Sequence, residues 1–153
     1  MRKNVFILCC LGMVILLNHS AFSQKITIEK SYPEAFLRAY DNYVNKNYAA
    51  SFEQFSALVE QTPQDREELL QDIMFYRASS AYEMMNKDAD ALLCEFISLC
   101  PQSAHCNEAY FLLANFYARG ERYDQAIEVY SKMNVAILNQ DDKFEYYYKR
   151  GHC

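Results

Sequence analysis

Thiols and imidazoles are the side chains of this sequence best suited to chemistry. Beyond residue 23, the chain carries four cysteines and two histidines, namely Cys94, Cys100, Cys106, Cys153, His105 and His152. Cys100 and Cys106 flank a short segment that begins with Pro101, so a disulfide could join them in an oxidising compartment. Packed free thiols are the preferred alternative, because a buried cysteine behaves as a small apolar side chain.

The spacing of these residues does not indicate a metal site. Paired zinc ligands usually lie about two to four residues apart, whereas the run from Cys94 to Cys106 has the form C-x5-C-x4-H-C. We therefore expect neither a metal nor any other cofactor.

No group of side chains has the spacing of a catalytic site. The carboxylate pairs Glu67-Glu68 and Asp141-Asp142 are adjacent in sequence, so they point in different directions on a helix and fit helix starts, where the helix dipole stabilises them. Neither histidine has a serine or cysteine partner at a defined turn, and no glycine-rich phosphate loop occurs. We predict that the chain is not an enzyme; catalysis would require a domain beyond Cys153.

Composition favours an all-helical protein that does not bind nucleic acid. Asp and Glu number 20 against 15 Lys and Arg, which gives a net charge of −5. Nucleic acids are bound by clustered Lys and Arg, and the sequence has no such cluster. Only three glycines and three prolines occur in 153 residues, which predicts helices with short connections.

The first 23 residues have the composition of a secretory signal peptide. Two basic residues precede an apolar run over residues 5–17, and small residues follow it. The run is shorter than the ~20 residues that span a bilayer, which favours a cleaved peptide over an uncleaved anchor. We predict cleavage near Ser23-Gln24, a lead segment over residues 24–32, and a periplasmic or secreted location.

The clearest internal pattern lies in residues 107–133, NEAYFLLANFYARGERYDQAIEVYSKM. At a helical period it gives two amphipathic helices joined at Gly120 by a turn so short that they must form an antiparallel hairpin. Large residues alternate with small ones, which lets the two helices approach closely. The packing positions are Tyr110, Leu113, Ala114, Tyr117, Tyr123, Ala126 and Tyr130.

In their order, these seven residues resemble the tetratricopeptide repeat (TPR), a helix-turn-helix unit of about 34 residues. Met133, where the family pattern prefers Ala, is one departure. The resemblance implies an all-α fold, a TPR-like solenoid of helical hairpins with about three repeats plus the start of a fourth.

The repeat boundaries follow from this period. They are residues 33–63 for repeat 1, 64–101 for a degenerate repeat 2, 102–140 for repeat 3 and a linker, and 141–153 for the first helix of a truncated repeat 4. Thr62 and Pro63 predict the start of the first helix of repeat 2, with Thr62 as its cap. Because a repeat needs its neighbour to bury its apolar face, we expect the chain to be the N-terminal part of a longer protein.

The family resemblance also implies where a partner binds, because TPR ligands usually lie against the inner face formed by the first helix of each repeat. Carried over to this sequence, that concave face consists of Asp41, Asn45, Tyr76, Ser80, Glu83, Phe111, Asn115, Arg119 and Tyr148. Its aromatic and amide groups suit an extended peptide, although a solvated face without ligand is the alternative for each residue. We expect a protein or peptide partner rather than a small molecule, and membrane contact only through a partner or a C-terminal continuation.

The opening of repeat 3, from Pro101 to Ala114, is similar to that of TPR proteins that assist assembly of the bacterial cell envelope. The resemblance therefore implies a periplasmic scaffold for protein-protein or protein-peptide interaction. The alternative is the extracytoplasmic sensor region of a larger signalling protein, whose membrane span would follow Cys153.

Overall fold

Helices account for most of the chain that the structure describes. This computed structural model describes residues 32–153. Its helices are α1 (Glu34–Val44), α2 (Tyr48–Gln61), α3 (Glu67–Glu83), α4 (Ala89–Leu99), α5 (Cys106–Arg119), α6 (Tyr123–Ser131) and α7 (Gln140–Gly151). A short 3-10 helix, Val135–Ile137, precedes α7. Since no strand occurs among residues 32–153, the predicted all-α class is confirmed for this part of the chain.

The helices are distributed over the predicted ranges in pairs. Residues 33–63 contain α1 and α2, residues 64–101 contain α3 and α4, residues 102–140 contain α5, α6 and the 3-10 helix, and residues 141–153 contain most of α7. The predicted signal peptide and all but the last residue of the lead segment lie outside the described residues.

The turns inside the three helix pairs share one backbone geometry. Lys46, Met85 and Glu121 adopt left-handed φ angles of 60°, 56° and 57°. In each turn this residue's amide donates to the carbonyl three residues back, and the next amide donates to the carbonyl five residues back. These hydrogen bonds form the Schellman ending of an α-helix. In the third turn Gly120 keeps a φ of −86°, so Glu121, not the glycine, makes the reversal.

Helices joined by these turns lie antiparallel. The hydroxyl of Tyr130, near the end of α6, donates to Oδ1 of Asn115 in the second half of α5 at 2.6 Å. Further along the chain, the amide of Asn134 donates to Oδ1 of Asn107 near the start of α5 at 2.8 Å, so later residues meet earlier ones, as in an antiparallel pair. The hairpin predicted for residues 107–133 is therefore present.

The first helices of successive pairs run parallel. His105 Nε2, next to the start of α5, lies 3.1 Å from Asp72 Oδ1 in the first half of α3. At the opposite ends of the same helices, the Arg119 guanidinium lies 4.6 Å from the Tyr82 ring centroid. From α2 onward each helix also packs against the next one along the chain. The result is a helical repeat-like arrangement of neighbouring hairpins.

The core alternates aromatic rings with alanines. Its fully buried rings include Phe55, Phe75, Phe96 and Tyr130, and its fully buried alanines are Ala39, Ala78, Ala81, Ala89, Ala109, Ala114 and Ala126. Small residues at these positions let helix backbones approach, while the rings fill the space between them.

Most of the predicted packing positions belong to this core. Those that are buried are Leu113, Ala114, Ala126 and Tyr130, and Tyr110 and Tyr117 are half-buried against it. Tyr123 departs from the expectation, since 43% of its surface is exposed. It is the first residue of α6 and therefore lies at the edge of the hairpin.

The predicted start of α3 is wrong. Thr62 does not cap α3; its amide donates to the carbonyl of Leu58 at 2.9 Å and completes the last turn of α2. Pro63 lies in the following turn, where its carbonyl accepts from the amide of Arg66, and α3 begins only at Glu67.

Candidate partner-binding site

A groove of about 480 Å³ lies between α5, the end of α6, the 3-10 segment and α7. We call it the α5–α7 groove. Its apolar lining consists of Ala104, Phe111, Leu112, Met133, Ile137 and Leu138, and its polar lining of Asn107, Glu108, Asp142 and Glu145. Among these lining residues none is Lys or Arg. The groove therefore combines apolar surface with three carboxylates.

Asparagine side chains determine how the chain passes from α6 to α7 along this groove. Asn134 Oδ1 accepts from the amide of Ala136 at 3.1 Å and caps the 3-10 helix. Asn139 Oδ1 accepts from the amide of Asp142 at 2.9 Å, and its Nδ2 donates to Asp142 Oδ2 at 2.7 Å. These caps satisfy amides that the helix starts leave without partners. They fix the 3-10 segment as one wall of the groove.

Tyr146 attaches α7 to the preceding hairpin. It is buried, its hydroxyl donates to the carbonyl of Tyr130 at 3.2 Å, and the two rings meet edge to face at 5.7 Å. Arg150 Nη1 in turn donates to the Tyr146 hydroxyl at 3.2 Å. With this face of α7 fixed, Asp142 and Glu145 line the groove.

A histidine cluster adjoins the groove at Glu108. His105 Nε2 lies 3.1 Å from Asp72 Oδ1, and its Nδ1 lies 3.9 Å from Glu108 Oε2. The imidazole stacks on Phe75, with ring centroids 4.2 Å apart and planes 5° apart, and Tyr76 contacts it from the side at 5.6 Å. The hydrogen bond to Asp72 is the main cause that raises the pKa of His105 to about 9, and the nearby Glu108 carboxylate adds to it, despite the partial burial of the imidazole. His105 is therefore a cation at neutral pH that joins α3 to α5.

We expect the fold to become less stable as His105 loses its proton. Its folded pKa of about 9 exceeds the ordinary value of 6.5. The stabilisation is therefore complete below about pH 6.5 and declines as the pH rises through about 9. Urea unfolding between about pH 6 and pH 9.5 measures this decline.

His105→Gln should flatten that pH dependence, because glutamine keeps an amide donor near Asp72 but does not titrate. His152→Gln on α7 is the matched control, since that histidine is exposed and contacts only its own helix. An unchanged pH dependence in His105→Gln would contradict the assignment.

Tyrosine rings continue from this cluster towards α1. Tyr76 contacts Tyr40 at 5.0 Å and Tyr43 at 5.1 Å between ring centroids, and the Tyr43 hydroxyl bonds to Ser79 Oγ at 2.8 Å. We call Tyr40, Tyr43 and Tyr76 the tyrosine strip. Burial is the main cause that raises the pKa values of Tyr43 and Tyr76, so both rings stay neutral at ordinary pH.

The structure brings only some of the predicted partner-binding residues together. Phe111 lines the groove, and Tyr76 reaches Glu108 of the groove through His105. Glu83 and Arg119 are the last residues of α3 and α5, at the ends of these helices that lie away from the groove. Both are exposed, and Arg119 covers the Tyr82 ring.

Three other predicted residues lie away from the groove. Asp41 and Asn45 are exposed at the end of α1, where Asn45 Nδ2 donates to the carbonyl of Asp41 at 2.8 Å. Tyr148 is exposed on α7, where it stacks on Phe144 at 6.4 Å between ring centroids.

The expectation that Ser80 and Asn115 face a partner is corrected by their burial. Ser80 is 0% exposed and its hydroxyl donates to Ser51 Oγ on α2 at 3.0 Å, so it faces the neighbouring helix. Asn115 is 4% exposed, and its Oδ1 accepts the Tyr130 hydroxyl inside the core. Both residues stabilise helix packing instead of offering surface.

Cys100 and Cys106 offer little reactivity. All four cysteines in residues 32–153 are free thiols, and the disulfide between Cys100 and Cys106 that the sequence left open is not formed in this structure. Burial is the leading cause that raises the pKa of both thiols, which keeps them protonated at neutral pH. Within residues 32–153 no group of three or more His, Cys, Asp or Glu is placed to hold a metal ion.

Sequence reasoning missed several residues of this site. Asp72 and Ile137 were not singled out, and His105 and Asp142 were considered only for metal binding, catalysis or a helix start. A signal for Asp72 and His105 was available, because they are 33 residues apart, close to the period of about 34 residues that the sequence pattern predicts. No comparable signal existed for the 3-10 segment that forms the groove wall between α6 and α7, because its position depends on asparagine caps.

No protein-family model, no curated protein and no solved structure matches the chain. In the described part, residues 32–153, no helix is both long enough and apolar enough to cross a bilayer. The groove and the adjoining tyrosine strip are therefore the features from which we infer a function.

Proposed function

We propose that this chain is a TPR-like scaffold that binds a segment of a partner protein or peptide. The α5–α7 groove is the principal contact, and the tyrosine strip extends it across α3 and α1. The chain itself carries out no reaction in this proposal.

Three features support the TPR-like assignment of the fold. The three hairpins end their first helices with the same left-handed turn. The first helices α3 and α5 run parallel. The small and aromatic residues Ala114, Ala126 and Tyr130, which stand at positions of the repeat pattern, lie in the core.

The α5–α7 groove is the observation that best supports a binding function. It is open to solvent along an apolar lining that includes Phe111, Leu112 and Ile137, and Ile137 is 66% exposed. Apolar surface of this kind, bordered by a few polar groups, suits side chains of an extended or helical segment. A volume of about 480 Å³ accommodates several such side chains.

The proposed location is the periplasm or the cell exterior, after removal of residues 1–23. Its support is the basic start, apolar run and small residues of the first segment. In that compartment a peptide-binding helical scaffold fits a role in cell-envelope assembly.

We expect peptides selected on the full chain to depend on Ile137. Random peptides of about a dozen residues, displayed on phage and selected on the full chain, supply the ligands, and fluorescence anisotropy measures their affinities. Ile137→Ser should weaken binding about tenfold through loss of apolar contact. Phe111→Ala should weaken it too, but Phe111 also packs 6.2 Å from Tyr130 between ring centroids, so Ile137 is the cleaner probe.

Leu99→Ser is the matched control. Leu99 is 64% exposed at the end of α4 and does not line the groove, so this variant removes similar apolar surface elsewhere. Equal affinity of the selected peptides for the wild type and Ile137→Ser would refute the groove as the binding site.

A further inference from the structure

The charges around the α5–α7 groove restrict the kind of segment that can enter it. Three carboxylates, those of Glu108, Asp142 and Glu145, border its apolar lining without a Lys or Arg among the lining residues. These carboxylates would repel a segment with acidic side chains. A neutral segment would form no ion pairs with them.

The charges on Glu108 and Glu145 are incompletely compensated within the chain. Glu108 Oε2 is 3.9 Å from the nearest His105 nitrogen, and Glu145 Oε1 is 3.7 Å from Lys149 Nζ. Both distances exceed that of a hydrogen bond, and the side chains are 56% and 51% exposed. Both carboxylates can therefore accept hydrogen bonds from an incoming cation.

Asp142 is held more firmly. It lies in the first turn of α7, where the helix dipole favours a negative charge, and it accepts from Asn139 Nδ2 at 2.7 Å. Glu108 and Glu145 are thus the groove residues best able to discriminate between partners.

The fields of these two glutamates extend beyond the groove. Burial is the main cause that raises the pKa values of Tyr43, Tyr76, Tyr82 and Tyr130; Glu108 adds to it at the first two tyrosines and Glu145 at the last two. Tyrosine rings in this chain also accept guanidinium groups, as Arg119 does on Tyr82 and Arg122 on Tyr117. Those two contacts lie away from the groove, but the tyrosine strip beside it offers Tyr76 and Tyr40 as rings of the same kind for cationic side chains.

We propose that the α5–α7 groove selects a polypeptide segment that alternates apolar residues with Lys or Arg, the cations of which pair with Glu108 and Glu145. This inference rests on the proposed peptide-binding function and specifies its ligand. Apolar side chains of the segment occupy the lining of Phe111, Leu112 and Ile137, and its cations lie at the border.

Three synthetic peptides of equal length test the proposal. Each carries fluorescein and the same leucines, and they differ only in having Lys, Gln or Glu at the intervening positions. On the full chain the Lys peptide should bind about tenfold tighter than the Gln peptide at low salt, with the Glu peptide weakest, and added salt should reduce the difference.

The double variant Glu108→Gln/Glu145→Gln should weaken the Lys peptide about tenfold and leave the Gln peptide unchanged. The matched control is Glu53→Gln/Glu60→Gln, which removes the same amount of charge from exposed positions on α2. It should have little effect, because a screened surface charge acts over only about 10 Å.

The outcomes separate the charge selection from the peptide-binding function on which it rests. If Lys and Gln peptides bind equally, the charge selection is wrong and the peptide-binding function stands. If the control double variant weakens the Lys peptide as strongly, overall charge and not the groove is responsible. If none of the three peptides binds, both the selection and the groove are overturned.

Discussion

Tyr130→Ala should lower the free energy of unfolding by about 3–5 kcal/mol, as truncation of large buried aromatic residues does. Tyr130 is 0% exposed. Its ring lies between Phe111, at 6.2 Å, and Tyr146, at 5.7 Å between centroids, and its hydroxyl donates to Asn115. The substitution therefore leaves a cavity where α5, α6 and α7 meet. Guanidinium unfolding followed by far-ultraviolet circular dichroism measures the change.

Tyr123→Ala is the control for this prediction, because Tyr123 lies seven residues earlier in the same helix and is 43% exposed. Tyr130→Phe separates the hydroxyl from the ring, and we expect it to cost about 1–3 kcal/mol because Asn115 loses a buried partner. If Tyr130→Ala were no more destabilising than Tyr123→Ala, α7 and the groove could not be anchored as described.

Ala126→Leu should destabilise the protein by about 1–3 kcal/mol or more through overpacking. Ala126 on α6 and Ala114 on α5 are both 0% exposed. A larger side chain at Ala126 would force the two helices apart or shift the neighbouring rings. Thermal unfolding gives the melting temperature of the variant, and urea unfolding gives the free energy.

Ala91→Leu provides the comparison, because Ala91 is exposed on α4 and alanine and leucine are both strong helix formers. Close approach of α5 and α6 predicts a clear loss of stability for Ala126→Leu and almost none for Ala91→Leu. Equal stability of the two variants would mean that α5 and α6 leave enough space at Ala126 for a leucine side chain, which would contradict their close packing.

Helix ends could be predicted where the amphipathic period alone sets them. The two helices predicted in residues 107–133 meet at Gly120 as the pattern requires, since α5 ends at Arg119 and α6 begins at Tyr123. The start of α3 was misplaced because Thr62-Pro63 resembles a capped helix start. In the structure Thr62 instead completes α2, and sequence cannot distinguish the two uses when both place the pair beside a helix end.

Position in the helical period predicts a face of a helix but not what covers that face. Asn115 lies on α5 between Phe111 and Arg119, which are both accessible, yet the Tyr130 hydroxyl reaches it from the partner helix. Ser80 was assigned to the open side of α3, although it faces α2 and pairs with Ser51. Such outcomes depend on the length and direction of neighbouring side chains, which a repeat pattern does not specify.

The groove could be predicted only in part for the same reason. Phe111 was expected on an accessible face and lines the groove. The opposite wall depends on Asn134 and Asn139, whose side chains cap the 3-10 helix and α7. Asparagine occurs in many turns, so its position in the sequence did not reveal which amides it would bind.

The three left-handed turns are positions at which substitution could raise the stability of the fold. Lys46, Met85 and Glu121 are all non-glycine residues at φ angles of 56–60°, a conformation that costs such a residue about 1 kcal/mol relative to glycine. The three side chains are exposed and none of them lines the groove, so exchange to glycine removes no buried contact. A variant of this chain weakened in its core could recover stability at any of them by exchange to glycine, with its helix packing and its binding surface unchanged.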